Sequence, residues 1–297
     1  MSEVNGQMFH IPVLLKEVVT ALNPQKGDVV IDGTAGAGGH AKEILNHIGE
    51  EGSMMLVDWD EETVRTLEKE VKTFSNVRVV QGNYADIPAL MEQENFPKAD
   101  ELLLDLGFSS DQLMRGRGFS FQKADEPLLM TYSDEREPLK ELLQRISEKE
   151  LLEIIKEFGE ERYAKEISRA IIANRNRMTT SGALAEVIKN AVPKFYEHGR
   201  IHPATRTFQA LRIYINKELE NLERILKLIP KIVKPGGRVA IISFHSLEDR
   251  MVKEQFQQME KEGIGENLTK KPIIANFEEV ARNPRARSAK LRALKII

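Results

Sequence analysis

The stretch Asp28-Val-Val-Ile-Asp32-Gly-Thr-Ala-Gly36-Ala-Gly38-Gly39-His40 decides the fold of this chain. Its apolar first part predicts a short buried strand, and the four glycines within the next seven residues predict a loop that turns sharply into a helix. Ligands of open α/β sheets bind where such strands end. A flexible strand-to-helix turn is the simpler alternative, but so many glycines favour a loop whose backbone closely approaches a ligand.

Short apolar strands and amphipathic helices alternate around this stretch. We predict strands at 28–32, 54–57, 77–80, 102–104 and 239–244, and one helix through 211–222. This alternation predicts an α/β fold with a mostly parallel sheet covered by helices on both faces. Residues 134–200 are instead dominated by charged, helix-forming sequence, which predicts an inserted helical domain. We place the sheet domain at 1–113 and 206–297, and the helical domain at 114–205.

Composition excludes several classes of protein. The 297 residues carry a net charge of only −3, so any binding of nucleic acid must come from a local basic patch. No cysteine is present, which excludes disulfides, thiolate metal sites and a cysteine nucleophile. We see neither a signal peptide nor an apolar run long enough to cross a bilayer, and expect a cytoplasmic protein. The histidines show no close metal-ligand spacing, so we predict no metal.

The glycine loop is compatible with two cofactors. Gly36-x-Gly38-x-x-Ala41, with the acidic Asp58 about twenty residues further on, satisfies the fingerprint of an NAD site. Asp32 favours S-adenosylmethionine instead, because a carboxylate there suits a cationic methionine moiety better than a pyrophosphate. The late turn at 235–237 also favours S-adenosylmethionine. Both cofactors remain open on this evidence.

The end of the chain has a basic footprint. Residues 282–297 hold six basic side chains and no acidic one, a composition that suits contacts with RNA phosphates. Arg285 and Arg287 follow Asn283-Pro284 in a predicted loop, and we assign them to RNA binding. Lys290 and Arg292 alternate with apolar residues, which predicts a strand; they belong either to the RNA site or to the solvated face of that strand.

Eight motifs along the chain, among them Ser243-Phe-His-Ser-Leu-Glu-Asp-Arg250, resemble one known family. They lie at 10–15, 32–40, 103–112, 117–121, 159–162, 202–212, 242–250 and 283–292. The resemblance is to the bacterial small-subunit rRNA cytosine-N4 methyltransferases of the MraW type. It implies a class I, Rossmann-like methyltransferase with a seven-stranded sheet and a helical substrate-recognition insert. It also implies S-adenosylmethionine as cofactor and a cytidine of 16S rRNA in the decoding region, cytidine 1402 in the usual numbering, as target. Whether the chain forms a homodimer is left open.

The resemblance also implies site residues. Together with the glycine loop, it predicts a cofactor site made of Asp32, Gly36, Gly38, Gly39, His40, Asp58, Tyr84, Asp105 and Gln112. The chain departs from the family at Leu129 and Thr131, where an Asp and an Arg are usual. That departure is the only support for one rival hypothesis, a non-catalytic ribosome-assembly factor that still binds the cofactor. The other rival is an NAD-dependent oxidoreductase.

Two residues are candidates for catalysis. Asp105 ends the fourth predicted strand, and its carboxylate could accept hydrogen bonds from a cytosine amine near the reacting methyl group. The alternative is that Asp105 only contacts cofactor or caps the following turn. His245 follows the last parallel strand, where it could face the target base or make a local hydrogen bond. Methylation at cytosine C5 would need a cysteine, so its absence favours an exocyclic nitrogen or a ribose oxygen as the target.

Overall fold

The computed structural model describes residues 12–107, 116–133, 136–196 and 202–297. The chain divides into two compact units, one of residues 1–109 with 221–297 and one of residues 110–220. The second boundary therefore lies further along the chain than the predicted 205/206. The helix Thr205–Asn216 contacts the helix Glu148–Gly159 extensively, so it belongs with the helical unit and not with the sheet.

In the first unit, the described residues form one eight-stranded sheet in the order β3-β2-β1-β4-β5-β8-β6, with β7 also paired to β8. The strands are β1 Val29–Asp32, β2 Ser53–Asp58, β3 Val77–Gln81, β4 Ala99–Asp105, β5 Val233–Ser243, β6 Gly265–Asn267, β7 Ile273–Ile274 and β8 Lys290–Ile296. Strands β1 to β5 are parallel, whereas β8 is antiparallel to its partners. The Rossmann-like fold class is confirmed. The sheet exceeds the expected seven strands because two very short strands share β8.

Helices cover both faces of this sheet, as predicted. They are α1 Leu15–Leu22, α2 Gly39–Ile48, α3 Glu61–Glu70, α4 Ile87–Gln93, the later part of α10 Glu218–Ile232, α11 Ser246–Lys261 and α12 Phe277–Arg282. Neighbouring strand residues point to opposite faces. Ile31 accordingly packs in one core with α4, α10 and α11, and Val30 packs in the other with α1 and α2. Both faces of β1, β2, β4 and the later part of β5 are buried, which is why these parallel strands contain continuous apolar runs, whereas β3 at the sheet edge is partly exposed.

The strand order reverses at β1, which lies between β2 and β4. Ligands of doubly wound sheets bind at this switch point, outside the carboxyl ends of the strands. Asp32 is the last residue of β1 and Asp105 the last residue of β4. The topology thus brings two residues that are 73 positions apart in sequence (105 − 32) to the same edge.

The second unit is helical. Its helices are α5 Leu139–Arg145, α6 Glu148–Gly159, α7 Ala164–Asn174, α8 Ser181–Ala191 and α9 Thr205–Asn216. A capping box starts α6, since the side chains of Ser147 and Glu150 each accept a hydrogen bond from the other's backbone N–H. At the end of α6, a Cβ on Gly159 would lie 2.8 Å from the Arg206 carbonyl oxygen, so α9 packs closely there.

The single helix predicted through 211–222 is wrong. Lys217 has a left-handed backbone (φ 53°) that ends α9, and α10 starts at the next residue. The apolar spacing continues across this break, which explains why periodicity alone did not reveal it. Within the described ranges, no helix is long and apolar enough to traverse a bilayer.

Candidate active site

The glycine loop joins β1 to α2 and has the backbone that its sequence predicts. Gly36 and Gly38 have φ values of 51° and 71°, in the left-handed region that favours glycine. Gly38 is also the residue before the first turn of α2. A Cβ on Gly39 would lie only 3.1 Å from the Pro12 side chain. The loop is therefore tightly constrained, and its backbone lies at the switch point of the sheet.

Asp58, at the end of β2, holds this loop. Its carboxylate accepts a hydrogen bond from the Gly36 N–H at 2.9 Å and from the Asp60 N–H, also at 2.9 Å. An ionised carboxylate has about four lone-pair sites, so it can accept further hydrogen bonds. An acidic residue at this place after the glycine motif commonly binds ribose hydroxyls, and the geometry of Asp58 is compatible with that role.

Asp32 is almost fully buried, with 1% of its surface exposed. Burial raises the pKa of Asp32 from its ordinary 3.8 to about 6. The charge of His40 and the hydrogen bond from the Thr34 N–H oppose this rise, whereas the charges of Asp105 and Asp58 add to it. The carboxyl group can therefore change its charge near neutral pH.

Asp105 lies beside His40. Its Oδ2 is 3.8 Å from His40 Nδ1, and its Oδ1 accepts a hydrogen bond of 3.3 Å from the Gly107 N–H. His40 Nε2 lies 2.9 Å from the Val13 carbonyl oxygen, which can only accept, so Nε2 carries the hydrogen. The His40 ring can then donate to Asp105 only when it is protonated. One oxygen of Asp105 caps the turn after β4, and the other faces the glycine loop.

Thr34 connects these carboxylates, and sequence reasoning missed it. The Asp105 N–H donates to Thr34 Oγ1 at 2.6 Å, and the Thr34 hydroxyl lies 3.5 Å from Asp32 Oδ1. The hydroxyl thus links the end of β1 to the end of β4. Its position between the first two glycines of the loop was a possible signal, but pairing with Asp105 depends on the strand order.

Together, Asp32, Asp58 and Asp105 make the site acidic. Three carboxylates around a loop, with His40 as the basic group named above, favour a ligand that carries positive charge. S-adenosylmethionine has a sulfonium and an ammonium group and fits this set of side chains. The pyrophosphate of NAD would be repelled by it, so the site argues against the oxidoreductase hypothesis.

Two further predicted cofactor residues can be placed only in part. Tyr84 begins a 3₁₀ turn after β3. If Gly33 carried a Cβ, that atom would lie 3.3 Å from the Cβ of Tyr84, so Tyr84 is beside the start of the glycine loop. A contact of Tyr84 with the cofactor stays a prediction. Gln112 lies outside the described residues.

His245 caps a helix. Its Nδ1 accepts from the Glu248 N–H at 3.4 Å, and the Glu248 carboxylate accepts in return from the His245 N–H at the start of α11. His245 Nε2 is 3.0 Å from Glu248 Oε1, although out of line for a hydrogen bond. Both ring nitrogens therefore face Glu248. This geometry favours the local role over the catalytic one that the sequence suggested.

The predicted RNA residues fall into two groups. Arg292 is only 4% exposed, and its Nε lies 2.7 Å from Asp249 Oδ1; Lys290 Nζ lies 3.0 Å from the other oxygen. These two cations hold the pKa of Asp249 below its ordinary value despite burial. The solvated strand face considered for Arg292 is therefore wrong, and an RNA contact through this buried guanidinium is not supported. Arg287 is exposed and Arg285 half-buried in the 3₁₀ turn Pro284–Ser288.

Comparison with known proteins gives the family of this chain. A sequence profile described as the MraW methylase family matches residues 7–297. Three relatives are each named ribosomal RNA small subunit methyltransferase H. The one from Trichlorobacter lovleyi is 43% identical over 97% of this chain and 98% of its own. Those from Coprothermobacter proteolyticus and Thermotoga neapolitana are 43% and 44% identical, over 96% and 97% of this chain and 95% and 96% of their own.

These matches span nearly the whole chain, including the glycine loop and the strand ends that carry Asp58 and Asp105. The predicted cofactor is confirmed as S-adenosylmethionine. The chain belongs to the MraW methylase family.

Proposed function

We propose that this protein transfers a methyl group from S-adenosylmethionine to the exocyclic N4 of a cytidine in the decoding region of 16S rRNA, cytidine 1402 in the usual numbering. The names of the relatives support rRNA of the small subunit as the substrate. The observation that carries the chemistry is the position of the Asp105 carboxylate. Asp105 ends β4, and its Oδ2 lies 3.8 Å from His40 Nδ1, on the side of the glycine loop. The inserted helical unit stays assigned, as a prediction, to substrate recognition.

The proposed reaction is a direct displacement. When bound, S-adenosylmethionine would supply an electrophilic methyl group, and S-adenosylhomocysteine would leave with the electron pair of the broken S–CH₃ bond. The N4 amine of cytosine is a weak nucleophile because its lone pair is delocalised into the ring, so it must be oriented by an acceptor. Asp105 accepts a hydrogen bond from this amine, and the proton lost as the N–C bond forms goes to Asp105 or to water. The absence of cysteine in the sequence argues against the covalent route to C5.

The side chains around Asp105 would keep it in place. The Gly107 N–H holds Oδ1, and the Asp105 N–H is itself anchored on Thr34. The carboxylate can therefore keep one orientation while a base enters. A base that is paired in RNA must first leave its stack to reach such a site.

Arg285 and Arg287 are our candidates for contacts with the RNA backbone. They lie in the turn just before β8, whose first residue pairs with Ser243 at the carboxyl end of β5. The turn is thus at the same edge of the sheet as Asp105. Lys290 and Arg292 are left out of this proposal because Asp249 binds both of them.

The test is methyl transfer from labelled S-adenosylmethionine to small ribosomal subunits from a strain that lacks this protein, followed by mass mapping of the RNA. We expect one methyl group on N4 of the proposed cytidine. Label on C5 or on a ribose oxygen would contradict the proposed chemistry. Bound cofactor without any incorporation would support the assembly-factor hypothesis, and calorimetric binding of NADH would revive the oxidoreductase.

A further inference from the structure

Phe277 is the most exposed large apolar side chain among the described residues, with 87% of its surface accessible. Ile274, three positions earlier, is 64% exposed. Isolated exposed apolar residues are common, but a pair on one short segment indicates a contact surface more often. The question is where this segment lies relative to the active site.

The sheet places it at the cofactor edge. β7 is antiparallel to β8, which is antiparallel to β5, so β7 runs in the same direction as the parallel strands. Ile274 pairs with Lys290, and Lys290 pairs with Ser243, the last residue of β5. The chain therefore leaves β7 at the carboxyl edge of the sheet. Phe277 follows there as the first residue of α12.

Hydrogen bonds anchor this segment beside the glycine loop. The Leu14 N–H donates to Glu279 Oε1 at 2.7 Å, in the first turn of α12. The residue before Leu14, Val13, offers the carbonyl oxygen that binds His40. Asn276 caps the helix by accepting from the Glu279 N–H. Phe277 therefore lies in a helix that is hydrogen-bonded to the segment of Val13 and Leu14, which also binds His40. The Phe277 ring is exposed to solvent.

The exposed charges that lie near Phe277 in the sequence suit a polyanion. Lys270 and Lys271 are exposed just before β7, and Arg282 and Arg287 are exposed after Phe277. Glu279 is occupied by Leu14, which leaves Glu278 as the exposed acid of α12. An accessible aromatic ring among cations is the arrangement with which proteins bind single-stranded nucleic acid, because every base has a face that can stack. A second protein surface would have less use for this excess of positive charge.

We propose that Phe277 is a stacking platform for an unpaired base of the RNA substrate, flanking the cytidine that enters the active site, with Arg282 and Arg287 on the neighbouring phosphates. This inference rests on the proposed function for the identity of the RNA. Stacking needs only an aromatic face, so it adds affinity without selecting the base. Phe277 would hold the strand next to the methylated position and take no part in the methyl transfer.

A fluorescent variant tests stacking directly. Phe277→Trp should be quenched when single-stranded oligocytidylate is added, since a stacked base quenches indole emission. Phe74→Trp is the matched control. Phe74 is also exposed, at 47%, but it precedes β3 and therefore lies at the opposite edge of the sheet. We expect no RNA-dependent change beyond the wild-type response of Trp59 in that variant. Equal quenching in both variants, or in neither, would overturn the proposal.

Kinetics with small subunits complete the test. Phe277→Ala should raise KM for the subunits roughly tenfold and leave kcat and the affinity for S-adenosylmethionine unchanged, while Phe277→Tyr should keep the wild-type KM. If the wild-type enzyme is active and Phe277→Ala has an unchanged KM, the stacking role of Phe277 is ruled out and the proposed function is unaffected. An inactive wild-type enzyme would sink the proposed function, and the quenching would still report on stacking. Loss of a dimer in Phe277→Ala, seen by sedimentation, would instead make this surface a contact between two copies.

Discussion

Asp32 and Glu101 are buried carboxyl groups at opposite edges of one sheet. Asp32 ends β1 at the carboxyl edge, and Glu101 lies near the start of β4 at the amino edge. Burial is the largest cause of a raised pKa in both, yet the pKa of Asp32 is about 6 and that of Glu101 about 9. The difference comes from what surrounds each group.

Glu101 faces other carboxyls. A hydrogen bond with Asp28 and the charges of Asp28 and Asp100 add to the effect of burial, and Lys234 opposes them only weakly. Lys234 is itself 2.8 Å from Asp100, which also accepts from the Val29 N–H. The protonated Glu101 can share its hydrogen with Asp28, so this group stays neutral across the physiological range.

At the other edge, His40 and the Thr34 N–H offset part of the burial of Asp32. Asp32 is therefore ionised above about pH 6, and a cationic ligand can stabilise its charge. Glu101 stays protonated and neutral up to about pH 9. A buried carboxyl therefore marks a binding site when its surroundings keep its pKa close to neutral pH. Substitutions at four positions test this contrast between the two edges.

The largest effect is expected at the carboxyl edge, for Asp105→Asn. The amide keeps an oxygen to cap Gly107 but loses the negative charge offered to the amine. We expect the single-turnover rate of methylation at saturating cofactor to fall by about 10²- to 10⁴-fold. Glu101→Gln, which removes a buried carboxyl at the amino edge, should leave the rate unchanged. A normal rate in Asp105→Asn would reduce Asp105 to a turn cap.

Asp32→Asn should weaken cofactor binding. If the bound cation returns the pKa of Asp32 from about 6 to its ordinary 3.8, the coupling is about two pKa units, or about a hundredfold in Kd. In the wild type, protonation of Asp32 competes with the cation. The Kd for S-adenosylmethionine should therefore rise as pH falls below about 6, by up to about tenfold per pH unit.

Calorimetry across this pH range measures both effects. The asparagine variant should have the weaker Kd at pH 8 and no such dependence on pH, and Glu101→Gln should behave like the wild type. A variant that binds as tightly as the wild type would remove Asp32 from the cofactor site.

Glu101→Gln should change stability and not activity. Because folding raises the pKa of Glu101 above its ordinary 4.5, the folded state keeps a proton that the unfolded state loses. This contribution to stability is complete below pH 4.5 and is lost as pH rises towards about 9. The glutamine variant lacks that loss, so at pH 8 its free energy of unfolding should be higher by up to about 5 kcal/mol, since each pH unit between 4.5 and 8 is worth about 1.4 kcal/mol.

Denaturant unfolding of the wild type and of Glu101→Gln from pH 5 to 9 measures how the free energy of unfolding changes with pH. Glu92→Gln, a change of an exposed residue on α4, is the control and should unfold like the wild type at every pH. If the free energy of unfolding changes with pH equally in the wild type and in Glu101→Gln, the pKa of Glu101 is not raised by folding.

The smallest effect is expected for His245. His245→Ala removes the cap of α11 and should cost about 1 kcal/mol of stability, while His245→Asn can replace the cap. Both variants should methylate at nearly the wild-type rate if the cap is the whole role of the ring. If His245→Asn is stable but its single-turnover rate falls a hundredfold or more, the catalytic prediction from the sequence stands.

The sequence by itself determined the sheet and the cofactor loop. Buried parallel strands must be apolar on both faces, so β1, β2 and β4 are visible as apolar runs, and positive φ values favour glycines at Gly36 and Gly38. Carboxyl ends of parallel strands meet at one edge, so the strand ends that carry Asp32, Asp58 and Asp105 lie at the same edge of the sheet. Local pattern and strand direction suffice for such features.

Only the tertiary structure decided the partners of individual polar groups. Asp249 binds Arg292 from 43 positions away, and Glu279 binds Leu14 from 265 positions away. Glu101 and Asp28 meet because β4 lies beside β1, which no spacing in the sequence specifies. Electrostatic pairing depends on distances of a few ångströms between remote segments. Periodicity in the sequence therefore predicts where a strand ends and which side chains lie at that end. It does not predict which charged group from a remote segment will pair with them.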